Sequence, residues 1–405
     1  MSIYKVPTGI LDLMESIRNK FFNGAVGKES KITWVPWKKV IAAKENGGLG
    51  MSSYWALNRA LLCKWIWRFL NRDNSLWYRI IVAINGSNHH ELICKYNGSR
   101  STWLEILNEV HCLKLKGIEI MDHCKKRVGN GEQTSFWNDL WIGDQVLRFK
   151  YPRLYALENN KSVTVADKMA ADIESSFRRR VRSGVEGDQL TNMRDILESC
   201  SLSSQVDRWY WDFNGDGEFM FKDVRNLLDE AVLPHDVDPT RWVKYIPIKI
   251  NIFAWKVSLD RIPSKINLLK RGVSMEYNLC SVCHEDIEDT SHIIFKCEMA
   301  SNIHQKICRW WQIDFYHVSS YAEWLSWFKD IRLPSKKKLM LEGVFHISWW
   351  QIWNFRNQIL FGSSIPRRST VFDDIVSRSF MYVSSRCKKN FSLTDWMSNP
   401  SAIAL

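Results

Sequence analysis

Residues 280–297 read C-S-V-C-H-E-D-I-E-D-T-S-H-I-I-F-K-C and gather four side chains with metal-binding chemistry in one short stretch. Cys280 and Cys283 are separated by two residues, the spacing at which a tight turn presents two thiolates to one ion. His292 and Cys297 follow at a distance that can close a tetrahedron. Soft thiolates with one imidazole are the ligand mix that Zn2+ favours in closed structural sites. The pattern C-x2-C-x8-H-x4-C therefore predicts a Cys3His zinc site whose four protein ligands leave no position for a water, a structural rather than a catalytic metal. His284 competes in principle, although ligation beside Cys283 would be strained, and His304 and Cys308 are further alternatives.

Other chemistry-bearing stretches are weaker. Gly47-Gly48-Leu49-Gly50 lacks the Gly-Lys-Ser/Thr and the preceding strand of a phosphate loop, and reads as a turn. Val371-Phe372-Asp373-Asp374 invites comparison with paired metal-binding aspartates, but the aromatic is one place off and the context is helical, which predicts a solvated helix surface. No nucleophile elbow, His-Glu-x-x-His or dinucleotide fingerprint occurs. Arg178 to Arg180 form a basic run amid acidic sequence, which predicts a solvated helix face with ion-pair partners.

The chain of 405 residues is 45% hydrophobic and 25% charged, an ordinary globular balance with room for two or three cores. Its net charge of +12 is uneven: the segments 1–150, 151–240 and 241–405 carry +9, −6 and +9. Basic ends favour a polyanionic partner, because displaced counterions drive association with phosphate backbones. Lys249, Lys256, Arg261, Lys265, Lys270 and Arg271, just before the cysteine cluster, are the candidate phosphate contacts. Of the ten cysteines three belong to the cluster, and the odd seven left do not suggest a disulfide framework. Neither a signal-peptide core nor a run of about 18 apolar residues is present, so the expected setting is intracellular and away from the membrane, with the nucleus as a candidate compartment. The 21 tryptophans are expected in cores, with their indole N–H groups seeking acceptors.

The elements that must position these residues are mostly helical. Apolar spacing predicts helices over 11–22, 54–70 and 102–112, the second capped by Ser52 or Ser53 and apolar on most sides. Pro247 is placed to open a helix carrying Ile250, Phe253, Ala254 and Val257, with Lys249 and Lys256 outward. Ser264 can cap a short basic helix over 265–271, with Gly272 at its left-handed end. Further helices are expected over 301–311, 321–328, 338–361 and 371–387. Aromatic alternation predicts two short β-hairpins, one after Val128-Gly129-Asn130-Gly131 and one in which 209–213 and 219–221 flank Asn214-Gly215-Asp216-Gly217. The expected class is α+β, predominantly α-helical, with short β-hairpins and a small zinc-knuckle-like module. Its expected regions are a helical basic region at 1–125, a hairpin-containing linker at 126–240, the metal domain at 241–330 and a helical end at 331–405.

Taken together, W-V-P-W-K-K-V, G-G-L-G-M, N-R-A-L-L-C-K-W-I-W-R-F, V-G-N-G-E-Q-T-S-F-W-N-D-L-W, D-R-W-Y-W-D-F-N-G-D-G-E-F, R-I-P-S-K-I-N-L-L-K-R-G, the Cys/His cluster and W-N-F-R-N-Q-I-L-F resemble one family. It is the C-terminal region of plant LINE-type (non-long-terminal-repeat) retrotransposon reverse transcriptases, with their zinc-binding domain. The resemblance implies Cys280, Cys283, His292 and Cys297 as ligands of a structural Zn2+. It also implies RNA or DNA as partner, and a reverse transcriptase core acting in trans as a second candidate partner. In such elements the endonuclease and the polymerase fingers and palm lie upstream, and the catalytic aromatic-x-Asp-Asp motif is absent from this sequence. The chain is thus expected not to polymerise on its own; the alternatives are a scaffold that docks to a polymerase core and a degenerate fragment without activity.

Overall fold

The computed structural model describes residues 3–24, 31–71, 75–85, 101–213, 215–236, 238–364, 366–387 and 391–403. It is mostly helical, with one two-stranded antiparallel sheet among the described residues. The chain divides into two compact units, Met1–Phe21 with Ser52–Leu233, and Phe22–Met51 with Pro234–Leu405. No described helix is long and apolar enough to cross a membrane.

In the first unit the helix Tyr54–Leu70 is central, as its apolar circumference requires. It packs against Thr102–Leu115 and Phe221–Val232 around Ile66, Phe69, Trp103 and Trp211. Ser53 caps it by accepting from the Ala56 N–H at 3.0 Å, and its hydroxyl donates to Asp229 at 2.6 Å. The strand β2, Arg208–Trp211, lies within the predicted alternation, but it pairs with β1, Cys124–Arg127, rather than with the residues after the turn. Phe221 instead begins a helix. The other expected hairpin is absent among the described residues, where 134–143 form turns and a single bridge from Ser135 to Thr164. Arg179 makes a two-pronged pair with Glu186 at 2.8 and 3.0 Å, so the acidic partner is present, although 177–182 is not helical.

One carboxylate organises the loop that leads into a second, smaller core of this unit. Asp207, buried, accepts from the backbone N–H groups of Gly129, Gly131 and Gln133 at 2.7, 2.9 and 3.0 Å and from the Thr134 hydroxyl at 2.7 Å. Glycine is required at both positions: a Cβ on Gly129 would meet the Gln205 carbonyl at 2.0 Å, and Gly131 has φ +77°. The loop delivers Phe136 and Trp137 into a smaller core with Leu154, Val165 and Met193.

In the second unit the helix Ser335–Phe361 begins with lysines and then buries nearly every residue from Met340 to Trp353, so it forms the axis. Ile248–Ser258, Glu298–Trp311 and Thr370–Ser384 pack on it, and one core runs from Val243 to Trp396. A smaller cluster of Val35, Val40, Leu49 and Trp255 completes the unit. The Gly47 to Gly50 stretch is a turn, closed by Leu49 N–H on Val40 and Gly50 N–H on Ala42. Every tryptophan of the chain is buried or half-buried. Several find acceptors, as Trp255 does on Gly47 at 2.9 Å, but the indole N–H groups of Trp103, Trp311, Trp324 and Trp349 have none.

Asp207→Ala orphans several buried donors at once and should destabilise the chain by about 2–4 kcal/mol in denaturant titration. Burial pushes the Asp207 carboxyl up, but the Thr134 hydroxyl and the three backbone N–H groups outweigh it and hold the carboxyl below the usual range. Its contribution is therefore complete above the unfolded carboxylate range near pH 4 and lost as pH falls through the folded value. The wild-type and D207A midpoints should converge on acidification; a gap that widens below pH 4 would contradict this.

Candidate metal centre and its surroundings

The chain reaches the cluster through the short helix Lys265–Leu269, capped by Ser264 accepting from Asn267 N–H at 3.3 Å, with Gly272 at φ +80° after it. A turn then carries Cys280 and Cys283. Cys280 N–H donates to Asp286 at 2.7 Å, His284 N–H donates back to Cys280 at 2.9 Å, and Leu279 bridges Ile287. His284 takes a left-handed backbone, φ 65°, which turns the chain sharply after the second cysteine. The Val282 N–H points at the Cys280 sulfur, 3.4 Å away, favouring its thiolate.

His292 and Cys297 come from a different device. On an α-helix of 3.6 residues per turn, residues five apart point about 140° from one another. Residues His292–Lys296 instead form a π-turn, with Cys297 N–H donating to the His292 carbonyl at 2.7 Å. The wider turn brings the fifth residue back to the same side, and Glu298–Trp311 continues as α-helix. One ligand atom from each of Cys280, Cys283, His292 and Cys297 lies within 4.8 Å of all the others. His292 Nε2 faces the Cys283 sulfur at 3.2 Å, while its Nδ1 faces Asp286 at 3.3 Å. A hydrogen bond from Cys297, against the cost of burial, holds Cys280 at about 5, and the same bond with burial pushes Cys297 well up. Three sulfurs and an imidazole this close make a donor set suited to a soft dication. His284 is exposed and outside the cluster, whereas His304 and Cys308 are packed in the core, where burial pushes the His304 imidazole down to about 3.

Glu288, which the sequence analysis did not single out, sits beside this cluster. It has no exposure, and its carboxylate accepts from Ser281 N–H at 3.1 Å, Ser281 Oγ at 2.9 Å and Lys265 N–H at 3.2 Å, and pairs with Arg356. Arg368 adds a second tie, donating to the Val282 carbonyl at 2.6 Å. Among the neighbouring acids, Asp289 caps the π-turn through His292 N–H at 2.6 Å and Asp286 faces His292. Of Glu285, Asp286, Glu288 and Asp289, only Glu285 is exposed without an ion pair or hydrogen bond among the described residues, so this loop presents less free charge than a count of its acids. Its only advance signal was an acid flanked by isoleucine on one side.

The six candidate phosphate contacts divide. Lys249, Arg261, Lys270 and Arg271 are exposed; Lys256 and Lys265 are half-buried. Lys265 donates to the Leu279 carbonyl at 2.8 Å, and Lys256 lies over Phe22, its amine pushed down by burial. Arg271 is engaged with the Thr33 carbonyl at 3.1 Å, and Lys270 lies 3.9 Å from Asp260. Lys249 sits over the Trp350 ring. Lys249 and Arg261 flank opposite ends of the helix Ile248–Ser258, so the six do not form one compact patch.

Residues 219–303 match the family described as zinc-binding in reverse transcriptase, and the match encloses all four clustered residues. The chain carries a retrotransposon-derived reverse transcriptase zinc-binding region. Over 383 residues, 92% of this chain, it is 24% identical to an Arabidopsis thaliana protein named "Putative ribonuclease H protein", and it spans 59% of that relative's length. Over 149 residues, 36% of this chain and 91% of the relative, it is 27% identical to an uncharacterized mitochondrial protein of Arabidopsis thaliana. No solved structure matches the chain significantly.

Removing one member of a buried ion pair strands the other charge, so Arg356→Ala should cost about 3–5 kcal/mol of stability. The joint replacement Glu288→Leu with Arg356→Met should cost less than the two single changes summed, a coupling that a double-mutant cycle in denaturant measures. Additive costs would show that the pair does not act as a unit.

Proposed function

We propose that the chain is a zinc-stabilised nucleic-acid-binding region of a LINE-type retrotransposon reverse transcriptase, without polymerase activity of its own. The observation that carries this reading is the convergence of Cys280, Cys283, His292 and Cys297 inside the segment that matches the reverse transcriptase zinc-binding family. With four protein donors the ion has no open coordination position, so its role is to fix the fold. Binding of a structural zinc contributes roughly 10–16 kcal/mol in small fingers, as much as the stability of a typical domain at about 5–15 kcal/mol. Cys283→Ser should lower the zinc content of the purified chain well below one ion, measured by elemental analysis. A folded C283S protein that keeps its full zinc would overturn the ligand assignment.

In this reading the partner is RNA or single-stranded DNA, held by exposed cations on the zinc-bearing unit. Lys249 and Arg261 carry the most weight, because neither is paired with a carboxylate among the described residues, while Lys256 and Lys265 are already used within the fold. Affinity for an RNA or single-stranded DNA oligonucleotide should fall steeply with salt, and Lys249→Ala and Arg261→Ala should each reduce the logarithmic salt slope by about one.

The second reading is a protein-interaction scaffold that docks to a polymerase core. One observation favours it: Ile10, Leu13 and Ile17 are exposed on the helix Thr8–Phe22 at helical spacing. The tryptophans do not serve it, since they are taken up by the cores. Zinc binding without salt-dependent nucleic-acid affinity would decide for the scaffold.

A further inference from the structure

The last turns of the helix Ser335–Phe361 and the first turns of Thr370–Ser384 enclose a cavity of about 370 Å3 whose chemistry the zinc site does not use. From the first helix Asn354, Asn357, Gln358 and Phe361 face it, spaced so that they share one helical side. From the other side come Arg367, Asp374 and Arg378. Phe355 and Val371, both buried, floor it. The amides are partly committed: Asn354 Nδ2 donates to Gln351 at 3.2 Å, and Asn357 Oδ1 accepts from Arg356 at 3.0 Å. This leaves the Asn354 carbonyl oxygen and the Asn357 amino group for a ligand. Arg367 and Arg378 are exposed, with no acidic partner among the described residues. Phe361 is 80% exposed at the mouth, a cost the chain bears in a protein whose tryptophans are all buried or half-buried. The cleft is also held in place, because Arg356 and Arg368, which stand between or beside its lining residues, are the two arginines tied to Glu288 and Val282 of the metal module.

We infer that this cleft binds one unpaired nucleobase of a single strand, and that it prefers bases carrying an exocyclic amino group. The inference rests on the nucleic-acid reading above and adds to it a site and a specificity. An exposed aromatic ring beside cations is the arrangement that stacks an unpaired base and follows its backbone. Side-chain amides pair with base edges through a donor and an acceptor together, and a carboxylate accepts from the amino group of cytosine. Phe361 supplies the stacking face, Asn354 and Asn357 address the base edge, and Arg367 and Arg378 meet the flanking phosphates. Asp374 accepts from a base amino group and repels a carbonyl oxygen at the same place. Cytosine therefore fits better than uracil, although the two are nearly the same size.

The test titrates the full zinc-loaded chain with oligo(C) and oligo(U) RNA of equal length by fluorescence anisotropy over a series of salt concentrations, the two being compared at each. The parent chain should favour oligo(C) by roughly 5-fold or more. Phe361→Ala should weaken both by roughly 5- to 150-fold, and Asp374→Asn should remove the preference while keeping affinity for oligo(U). Both positions are exposed, and unchanged zinc content and far-ultraviolet circular dichroism establish that the variants are folded. Binding that is salt-dependent yet indifferent to base and to both substitutions would overturn the cleft and leave the nucleic-acid reading standing. No binding of either RNA, or of oligo(dC) and oligo(dT) single-stranded DNA, at any salt, would overturn both.

Discussion

The buried Glu288 carboxylate joins three separate parts of the second unit. It takes backbone and hydroxyl donors from Ser281, which lies between the two knuckle cysteines, a backbone donor from Lys265 at the start of the short helix, and the guanidinium of Arg356 on the axial helix. Burying such a charge is costly unless every lone pair is met, and here four donors meet it. A metal at the cysteine cluster would join the knuckle to the π-turn at His292–Lys296, and Glu288 joins the same knuckle to the axial helix. The two ties share residues 280–283, so neither can loosen without moving the other.

The metal cluster was legible because its determinants are local. Ligand spacing, caps and helix ends are set within a few residues, and Ser53, Pro247, Ser264 and Gly272 stand where the sequence placed them. The mostly helical class followed from the same signals. What failed to show was non-local. The strand Arg208–Trp211 announced itself by alternation, but its partner Cys124–Arg127 is a basic stretch with little apolar pattern and lies more than 80 residues earlier. The Asn-Gly-Asp-Gly turn signal therefore suggested a hairpin whose second strand is absent among the described residues, where the Trp211 N–H on the Gly217 carbonyl spans the turn. Glu288 and Asp207 were hidden for a related reason: a carboxylate that meets its donors through folding looks, in sequence, like a solvated acid. The π-turn left a trace only in the His-x4-Cys spacing, which an α-helix would not have satisfied.

Net charge is a poor measure of what the surface offers, and this chain shows why. By count the four acids within 280–297 would repel phosphate, yet one is buried against arginine, one caps a turn and one lies beside the histidine. Among the six cations upstream, Lys265 and Arg271 hold backbone carbonyls and Lys256 is pushed toward its neutral form by burial. A cation that already satisfies an internal acceptor releases few counterions when a phosphate arrives, because its charge is already partly met. Counting lysines and arginines thus overstates the basic face before the cluster, and counting aspartates and glutamates understates how hospitable the knuckle is to an anion.

The arginines follow the same logic on the other side of the metal module. Arg356 and Arg368 are consumed in holding the knuckle, while Arg367, in the segment before the helix Thr370–Ser384, and Arg378, on it, line the cleft at the surface. Arg367 and Arg368 are adjacent, yet the second donates to the Val282 carbonyl and the first lines the cleft. Position on the fold, and not residue type, decides which positive charges build the protein and which are left to act on something else. The ties of Arg356 and Arg368 to residues 282–288 therefore also set where the cleft stands relative to the cysteine cluster.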